Sequence, residues 1–159
     1  MGQKEELVLI DTNVFVIDLI YKRDPHYKTN LTFLKFIAEK RTGFTTLINL
    51  LELCGILSFN LNHRQLAELW VYFQDRYQVS VLPVPDLEAP FPQIGIKDIF
   101  ELFKKRASLG DALLVAVANR YLPFVSTLVT WDKLRLQAIF PKTVLTPEEF
   151  LEASKDFRE

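Results

Sequence analysis

The sequence is poor in the side chains that build disulfides and zinc clusters. It has one cysteine, Cys54, and two histidines, His26 and His63. A single thiol can form neither an internal disulfide nor a thiolate zinc cluster. This composition fits a reducing, intracellular compartment. Cys54 lies in an apolar segment and is predicted to be a small buried hydrophobic residue.

Charge of one sign and long apolar runs are also missing. The net charge of -1 argues against coating nucleic acid through bulk charge, but it leaves room for an enzyme with a local basic patch. Lys and Glu interrupt every apolar run before it reaches the length of a membrane span. The segment from Met1 to Glu6 is polar and lacks the apolar core of a signal peptide. We therefore expect a soluble, cytoplasmic protein.

The chain does contain enough apolar material for one ordinary domain. Of its 159 residues, 49% are hydrophobic, and we expect a single domain over residues 1–159. Buried-strand patterns alternate with helical periodicity, which favours an α/β fold with a mainly parallel sheet and helices on both faces. Strands are predicted at 7–10, 79–84, 124–130 and 143–145, with a strand or connector at 43–46. Helices are predicted from 14 up to the Asp24-Pro25 pair, at 27–40, 47–59, 63–77, 96–106, 108–121 and 134–140, and from Pro147 onward.

Four acidic residues occupy positions that suggest a site. Asp11 directly follows the first strand, and Asp132 follows the strand at 124–130 by one residue. Ligands bind beyond the carboxyl ends of parallel strands, so both acids are expected at one edge of the sheet. Glu52 and Asp111 lie in strongly apolar segments, where an ionised carboxylate is costly to bury unless it is paired, hydrogen-bonded or bound to a metal ion.

Convergence of these carboxylates would call for a cation, because they repel one another. Mg²⁺ and Mn²⁺ prefer carboxylate and water oxygens. Such an ion lowers the pKa of a bound water and neutralises a scissile phosphate. An all-carboxylate site therefore points to phosphodiester hydrolysis more than to acyl chemistry.

Each acid also has an ordinary structural alternative. Asp11 or Asn13, and likewise Asp132, could cap the helix that follows. The segment from Ser108 to Asp111 fits a capping box. Glu52 could be a solvated residue on an amphipathic helix. The prediction of a site therefore depends on the joint placement of the four acids.

With these residues identified, the sequence resembles the PIN-domain family, especially the VapC-type toxins of toxin–antitoxin pairs. The resemblance extends over about residues 7–151 and rests on four motifs in order. They are a strand ending in Asp-Thr-Asn at 11–13, a Thr-Leu helix running from Thr46 to Glu52-Leu53, a small-residue helix of Asp-Ala type at 110–116, and a strand ending in Thr-x-Asp at 130–132.

The resemblance implies a three-layer α/β/α sandwich around a mainly parallel sheet, with Mg²⁺- or Mn²⁺-dependent endoribonuclease activity. It also implies an RNA substrate, a homodimer and a small antitoxin partner. It assigns catalysis and metal binding to Asp11, Glu52, Asp111 and Asp132, and the orientation of ligands or water to Thr12, Asn13 and Thr130.

One position departs from the family pattern. Many relatives carry a second acid two residues beyond the fourth motif's Asp, and here that position is Leu134. A fifth carboxylate is therefore missing, and the number of metal ions stays open. The core acids are complete, so the departure does not predict an inactive protein.

Basic residues flank the predicted acidic edge, and they have two interpretations. They could contact RNA phosphates, or they could be solvated residues at helix ends. Trp131 could stack on a base or pack in the core, and His26 and His63 are predicted to be surface residues. The basic groups are Lys22, Arg23 and Lys28, then Lys104, Lys105 and Arg106, then Lys133 and Arg135.

Two other functions remain open from the sequence. One is a binding module that keeps the fold without cleavage, which would be marked by loss of a core acid, and none is lost. The other is a phosphotransferase or phosphatase with an aspartyl nucleophile after the first strand. The haloacid-dehalogenase type needs a second Asp two residues on, where this chain has Asn13.

Overall fold

The computed structural model describes the backbone of residues 5–158 and the side chains of residues 5–155. Most of the polar N-terminal segment considered above, Met1 to Lys4, lies outside the described residues. Five strands form one sheet in the order β3-β2-β1-β4-β5, and every neighbouring pair is parallel. The strands are β1 (Val8–Ile10), β2 (Gly43–Thr46), β3 (Val79–Leu82), β4 (Thr127–Val129) and β5 (Thr143–Leu145).

Helices separate the strands along the chain and cover the sheet. Pro147 opens the last helix, as its fixed φ angle favours. No helix among the described residues combines the length and apolarity needed to cross a lipid bilayer. The helices are α1 (Thr12–Leu19), α2 (Tyr27–Lys40), α3 (Leu47–Leu57), α4 (His63–Tyr77), α5 (Ile96–Phe103), α6 (Leu109–Tyr121), α7 (Lys133–Gln137) and α8 (Pro147–Arg158).

Successive residues of the central strands belong to two different cores. Val8 and Ile10 pack with helices α1 to α4 and α8, whereas Leu9 packs with α5, α6 and α7. In β4, Val129 and Leu128 divide in the same way. Because alternate strand residues point to opposite faces, both faces of the sheet are buried under helices. The predicted three-layer α/β/α sandwich around a parallel sheet is confirmed.

The strand order places one edge of the sheet at a topological switch point. From β1 the chain moves outward to β2 and β3, then crosses back to β4 on the other side of β1 and on to β5. In open parallel sheets, ligands bind where the order reverses, beyond the carboxyl ends of the two central strands. Asp11 follows β1 here, and the segment from Thr130 to Asp132 follows β4.

Several predicted segments are shorter in the structure, among them the strand predicted at 79–84, which ends at Leu82, and the helices predicted at 47–59 and 134–140, which end at Leu57 and Gln137. The strand predicted at 124–130 extends only over Thr127–Val129, after a turn at 123–124. The helix predicted to run to Arg106 ends at Phe103. Lys105 and Arg106 donate backbone hydrogen bonds three residues back, and Arg106 has a left-handed φ of 65°. The basic residues Lys104 to Arg106 therefore form a turn.

Gly43, the first residue of β2, lies where no side chain fits. A Cβ atom there would lie 2.4 Å from Ile37 Cγ2 and 3.0 Å from Val79 Cγ2. Gly43→Ala should lower the free energy of unfolding by about 2 kcal/mol, because close-packed interiors resist added atoms. Urea titration measures this effect.

Gly55→Ala is the matched control for that substitution. It lies within α3, and a Cβ atom there meets nothing within 4 Å. At an exposed position of a helix, alanine is more favourable than glycine. This variant should therefore be as stable as wild type or up to about 1 kcal/mol more stable. Equal stability of the two variants would show that α2 yields to the added methyl group.

Candidate active site

Asp11 is a buried carboxylate at the junction of β1 and α1. Its backbone N–H donates to the Val129 carbonyl of β4 at 3.0 Å, which joins the ends of the two central strands. Its Oδ1 accepts from the Thr12 backbone N–H at 2.8 Å, so Asp11 does cap α1 as the structural alternative anticipated. Only 5% of the residue is exposed, which a helix cap alone does not require.

Thr130 connects Asp11 to the other side of the switch point. Its hydroxyl donates to Asp11 Oδ2 at 2.8 Å and accepts from Asn13 Nδ2 and from the Asp132 backbone N–H, both at 3.0 Å. Asn13 Oδ1 in turn accepts from the Trp131 backbone N–H at 3.2 Å. These contacts bring together Asp11, Asn13 and Thr130 at one edge of the sheet.

Asn49 belongs to the same network, although the sequence analysis assigned it no role. It forms a reciprocal capping box with Thr46 at the start of α3. Its Nδ2 also donates to Thr12 Oγ1 at 2.9 Å and to Asp11 Oδ1 at 3.3 Å. The available sequence signal was a Thr-x-x-Asn spacing directly after the apolar start of β2, three residues before Glu52.

Burial raises the pKa of Asp11 from 3.8 to about 6. The hydrogen bonds from Thr130 and Thr12 oppose this shift by stabilising the charged form, and the negative charge of Glu52 adds to it. The guanidinium of Arg135 lowers the pKa slightly. Asp11 therefore feels the charges of Glu52 and Arg135, which come from α3 and α7.

Asp111 is the second buried carboxylate, in the first turn of α6. Ser108 caps this helix by accepting from the Asp111 backbone N–H at 3.2 Å. Only 7% of Asp111 is exposed, and its Oδ2 accepts no hydrogen bond from the described residues. The Nη1 atom of Arg135 lies 3.2 Å from that oxygen and forms an ion pair with it. The buried carboxylate is therefore compensated by the positive charge of Arg135.

Glu52 is exposed, in contrast to its apolar sequence neighbourhood. The buried face of α3 carries Leu50, Leu53 and Leu57, and Glu52 lies on another face. Its Oε2 lies 3.7 Å from the position of a Cβ atom on Gly110. The carboxylate of Glu52 is therefore next to the first turn of α6, which carries Asp111.

Asp132 lies at the rim, where half of its side chain is exposed. It is the residue before α7, but its side chain makes no capping hydrogen bond, so the capping alternative does not account for it. Instead its Oδ2 pairs with Arg135 Nε at 2.8 Å. One guanidinium thus bridges Asp111 and Asp132.

The donor chemistry of this edge suits a hard divalent cation, although the described side chains do not form a ready-made coordination sphere. Among them, no three His, Cys, Asp or Glu residues are grouped closely enough to hold one ion. The buried Oδ2 of Asp111, which accepts no hydrogen bond from the described residues, and the neighbouring carboxylates are the oxygen ligands that Mg²⁺ and Mn²⁺ prefer. Arg135 occupies the space between Asp111 and Asp132.

Comparison with known proteins finds similarity at the level of structure. No protein-family model and no curated protein matches the chain. The FitAcB structure from Neisseria gonorrhoeae matches with a TM-score of 0.59 and 16% identity over 89% of this chain and 99% of that one. FitAB bound to an IR36 DNA fragment matches with a TM-score of 0.54 and 15% identity, over 89% of this chain and 95% of that one. VapBC2 from Rickettsia felis, bound to a DNA fragment from the promoter, matches with a TM-score of 0.54 and 22% identity, over 87% of this chain and 96% of that one.

These complexes contain toxin components that are PIN domains of the VapC type. The chain has a PIN-domain fold. The likeness extends along most of the chain, as the four motifs predict, and the fold accounts for the convergence of residues as distant in sequence as Asp11 and Thr130.

On this PIN fold, several basic residues of the predicted rim already have acidic partners. Lys133 pairs with Glu149 at 2.9 Å, and Lys104 pairs with Glu101 at 3.0 Å. Arg135 pairs with acids of the site itself. The exposed residues Lys22 and Arg23 line a shallow depression at 20–24 after α1. The rim interpretation therefore rests chiefly on the exposed residues Lys22, Arg23, Lys28, Lys105 and Arg106.

Trp131 is held in place from three directions. Its indole N–H donates to Asn30 Oδ1 at 2.8 Å, and its backbone N–H donates to Asn13. The exposed His26 ring stacks on its indole at 4.1 Å. Asn30 is fully buried and also donates to the Val14 carbonyl. Trp131 is therefore a half-buried residue that packs at this edge of the PIN fold. His26 lies at the surface, as predicted.

Proposed function

We propose that this chain is a metal-dependent endoribonuclease and the toxin of a toxin–antitoxin pair. One observation carries the proposal. Two buried carboxylates, Asp11 and Asp111, lie at the switch point of a PIN fold, and both interact with the guanidinium of Arg135. Burying two acids is costly, so such an arrangement is typical of a functional cation site.

In this proposal Asp11, Glu52, Asp111 and Asp132 hold Mg²⁺ or Mn²⁺. When bound, such an ion would supply positive charge beside the scissile RNA phosphate and would lower the pKa of a bound water. Thr130 and Asn49 fix the two oxygens of Asp11 through hydrogen bonds, so that its lone pairs are aimed before any ligand arrives. Leu134 is 80% exposed at the position of the family's fifth acid, which favours a site built on the four carboxylates.

The toxin assignment draws on the structural neighbours. FitAB and VapBC2 are toxin–antitoxin complexes, which supports an antitoxin partner for this chain. Exposed apolar residues offer surfaces for an antitoxin and for a second copy in a homodimer. They include Val71 and Tyr72 on α4, and Ile96 and Phe100 on α5. A cytoplasmic location, where RNA is translated, belongs to the same proposal.

The aspartyl phosphotransferase alternative loses support at Asn13. That chemistry needs an acid at this position, whereas the Asn13 amide both donates to Thr130 and accepts from Trp131. An acid there could not donate while ionised. Asn13 is therefore part of the framework that positions Asp11.

Cleavage of a structured RNA panel in Mg²⁺ or Mn²⁺, with EDTA as the metal-free control, tests the proposal. The informative variant is Glu52→Gln, because Glu52 is exposed and its loss should leave the fold intact. We expect the cleavage rate to fall by at least about tenfold, since a charged ligand is replaced by a neutral one.

Glu68→Gln is the matched control, because it removes an exposed glutamate of α4 that pairs only with Arg64 among the described residues. It should cleave RNA as wild type does. Cutting that persists in EDTA, or equal rates for the two variants, would contradict a carboxylate-bound metal. An inactive wild type across the whole panel would contradict the nuclease itself.

A further inference from the structure

We propose that Arg135 is an internal cation that competes with the divalent metal ion for Asp111 and Asp132. The inference rests on the proposed function and adds a residue that controls metal loading. The guanidinium lies against both carboxylates, and by this proposal it leaves them before they close around an ion.

The geometry of Arg135 supports competition rather than simple surface pairing. Nη1 lies 3.2 Å from Asp111 Oδ2, and Nε lies 2.8 Å from Asp132 Oδ2. The forked guanidinium therefore spans two carboxylates from two different elements, α6 and the start of α7. The oxygen it meets on Asp111 is the buried one that accepts no hydrogen bond.

Asp111 explains why the arginine is held there. Its carboxylate is nine-tenths buried, so an uncompensated charge would be costly without a positive neighbour. Arg135 is itself half exposed, which leaves it a path toward solvent. Asp111 therefore stays buried while Arg135 can turn away into solvent, so another cation can replace Arg135 beside this carboxylate.

The exchange predicts a measurable cost to metal affinity. If the guanidinium leaves the cluster in only about one molecule in ten, the apparent Kd for metal is about tenfold weaker than the intrinsic one. Arg135→Gln removes the competitor but keeps a polar side chain beside Asp111. The variant should therefore bind Mn²⁺ about tenfold more tightly than wild type.

Lys133→Gln provides the matched control for charge. Lys133 lies two residues from Arg135 on the same helix, but it pairs with Glu149 of α8. Removing the Lys133 charge changes the net charge by the same amount but leaves Arg135 in place between Asp111 and Asp132. Arg135→Lys is a second probe, since an ammonium cannot span both carboxylates and should give an intermediate affinity.

Calorimetric titration of the full chain with Mn²⁺ alone tests the inference, with no RNA and no activity readout. Circular dichroism in EDTA checks that each variant is folded. Tighter binding in Arg135→Gln than in Lys133→Gln, with Arg135→Lys between wild type and Arg135→Gln, supports competition. If Arg135→Gln unfolds, tighter binding by Arg135→Lys than by wild type carries the same conclusion.

Two results would overturn the inference, and they differ in what else they affect. Equal Mn²⁺ affinity in wild type, Arg135→Gln and Arg135→Lys removes the competition and leaves the proposed metal centre standing. Failure of every protein to bind Mn²⁺ removes the competition together with the proposed metal-dependent function.

Discussion

Asp11→Asn is expected to slow RNA cleavage by about 10³-fold, because a metal-binding carboxylate contributes several kcal/mol to the transition state. The same substitution should raise the stability of the metal-free protein at pH 7.5 by about 2 kcal/mol. This one substitution would therefore lower the activity and raise the stability of the metal-free protein.

The gain in stability follows from the pKa of Asp11. Its folded pKa, about 6, is above its ordinary value of 3.8, so the folded chain holds this proton more tightly than the unfolded chain. The metal-free protein therefore loses stability as the pH rises from 3.8 through 6, by about 3 kcal/mol in total. Asparagine stays neutral and avoids this loss, but it gives up about 1 kcal/mol because its amide has one oxygen and cannot accept from both Thr12 and Thr130.

Urea titrations in EDTA at pH 5 and pH 7.5 check both parts. The advantage of Asp11→Asn over wild type should grow by about 1 kcal/mol between these pH values. Asp75→Asn, at an exposed position of α4, should show no such growth. A variant that is less stable than wild type at pH 7.5 would mean that the hydrogen bonds to Asp11 outweigh its burial.

Thr130→Val is expected to lower the free energy of unfolding by about 4 kcal/mol, which is large for a substitution of nearly equal volume. The residue is fully buried, and its hydroxyl serves Asp11, Asn13 and the Asp132 backbone at once. Valine would leave two donors without an acceptor and would remove one hydrogen bond from Asp11. Losing that bond also raises the pKa of Asp11 further.

Thr45→Val is the control for this experiment. Thr45 is equally buried, but among the described residues its hydroxyl makes one hydrogen bond, to the Ile10 carbonyl at 2.7 Å. It should cost about 1 kcal/mol by urea titration, and Mn²⁺ affinity should be unchanged. In Thr130→Val we expect Mn²⁺ affinity to fall by about 10–100-fold, as for other groups that orient metal ligands. Similar losses in the two variants would show that Thr130 is only a core residue.

The fold was largely predictable because local and global signals agree in this chain. The uninterrupted apolar run before Asp11 has the length and composition of a strand buried on both faces, and β1 is that strand. Asp11 and Asp132 could be placed together because carboxyl ends of parallel strands share an edge. The burial of Asp111 also followed from its apolar segment.

The parts that the sequence left unpredicted depend on contacts between distant segments. Asn49 meets Asp11 across 38 positions, and nothing local distinguishes this amide from an ordinary helix cap. The bridge from Arg135 to Asp111 depends on how α7 sits against α6, which periodicity does not encode. Glu52 appeared to be in apolar surroundings because a helix distributes adjacent residues over different faces.

The strand order also has a consequence for how the protein is made. β4 is the strand that pairs with β1 on the side of Thr130, yet it is synthesised after β1, β2 and β3. Until it docks, Asp11 lacks both the Thr130 hydroxyl and the Val129 carbonyl that hold its end of β1. Under the proposed function, a nascent chain is therefore harmless to the RNA around it until β4 has been synthesised and has docked.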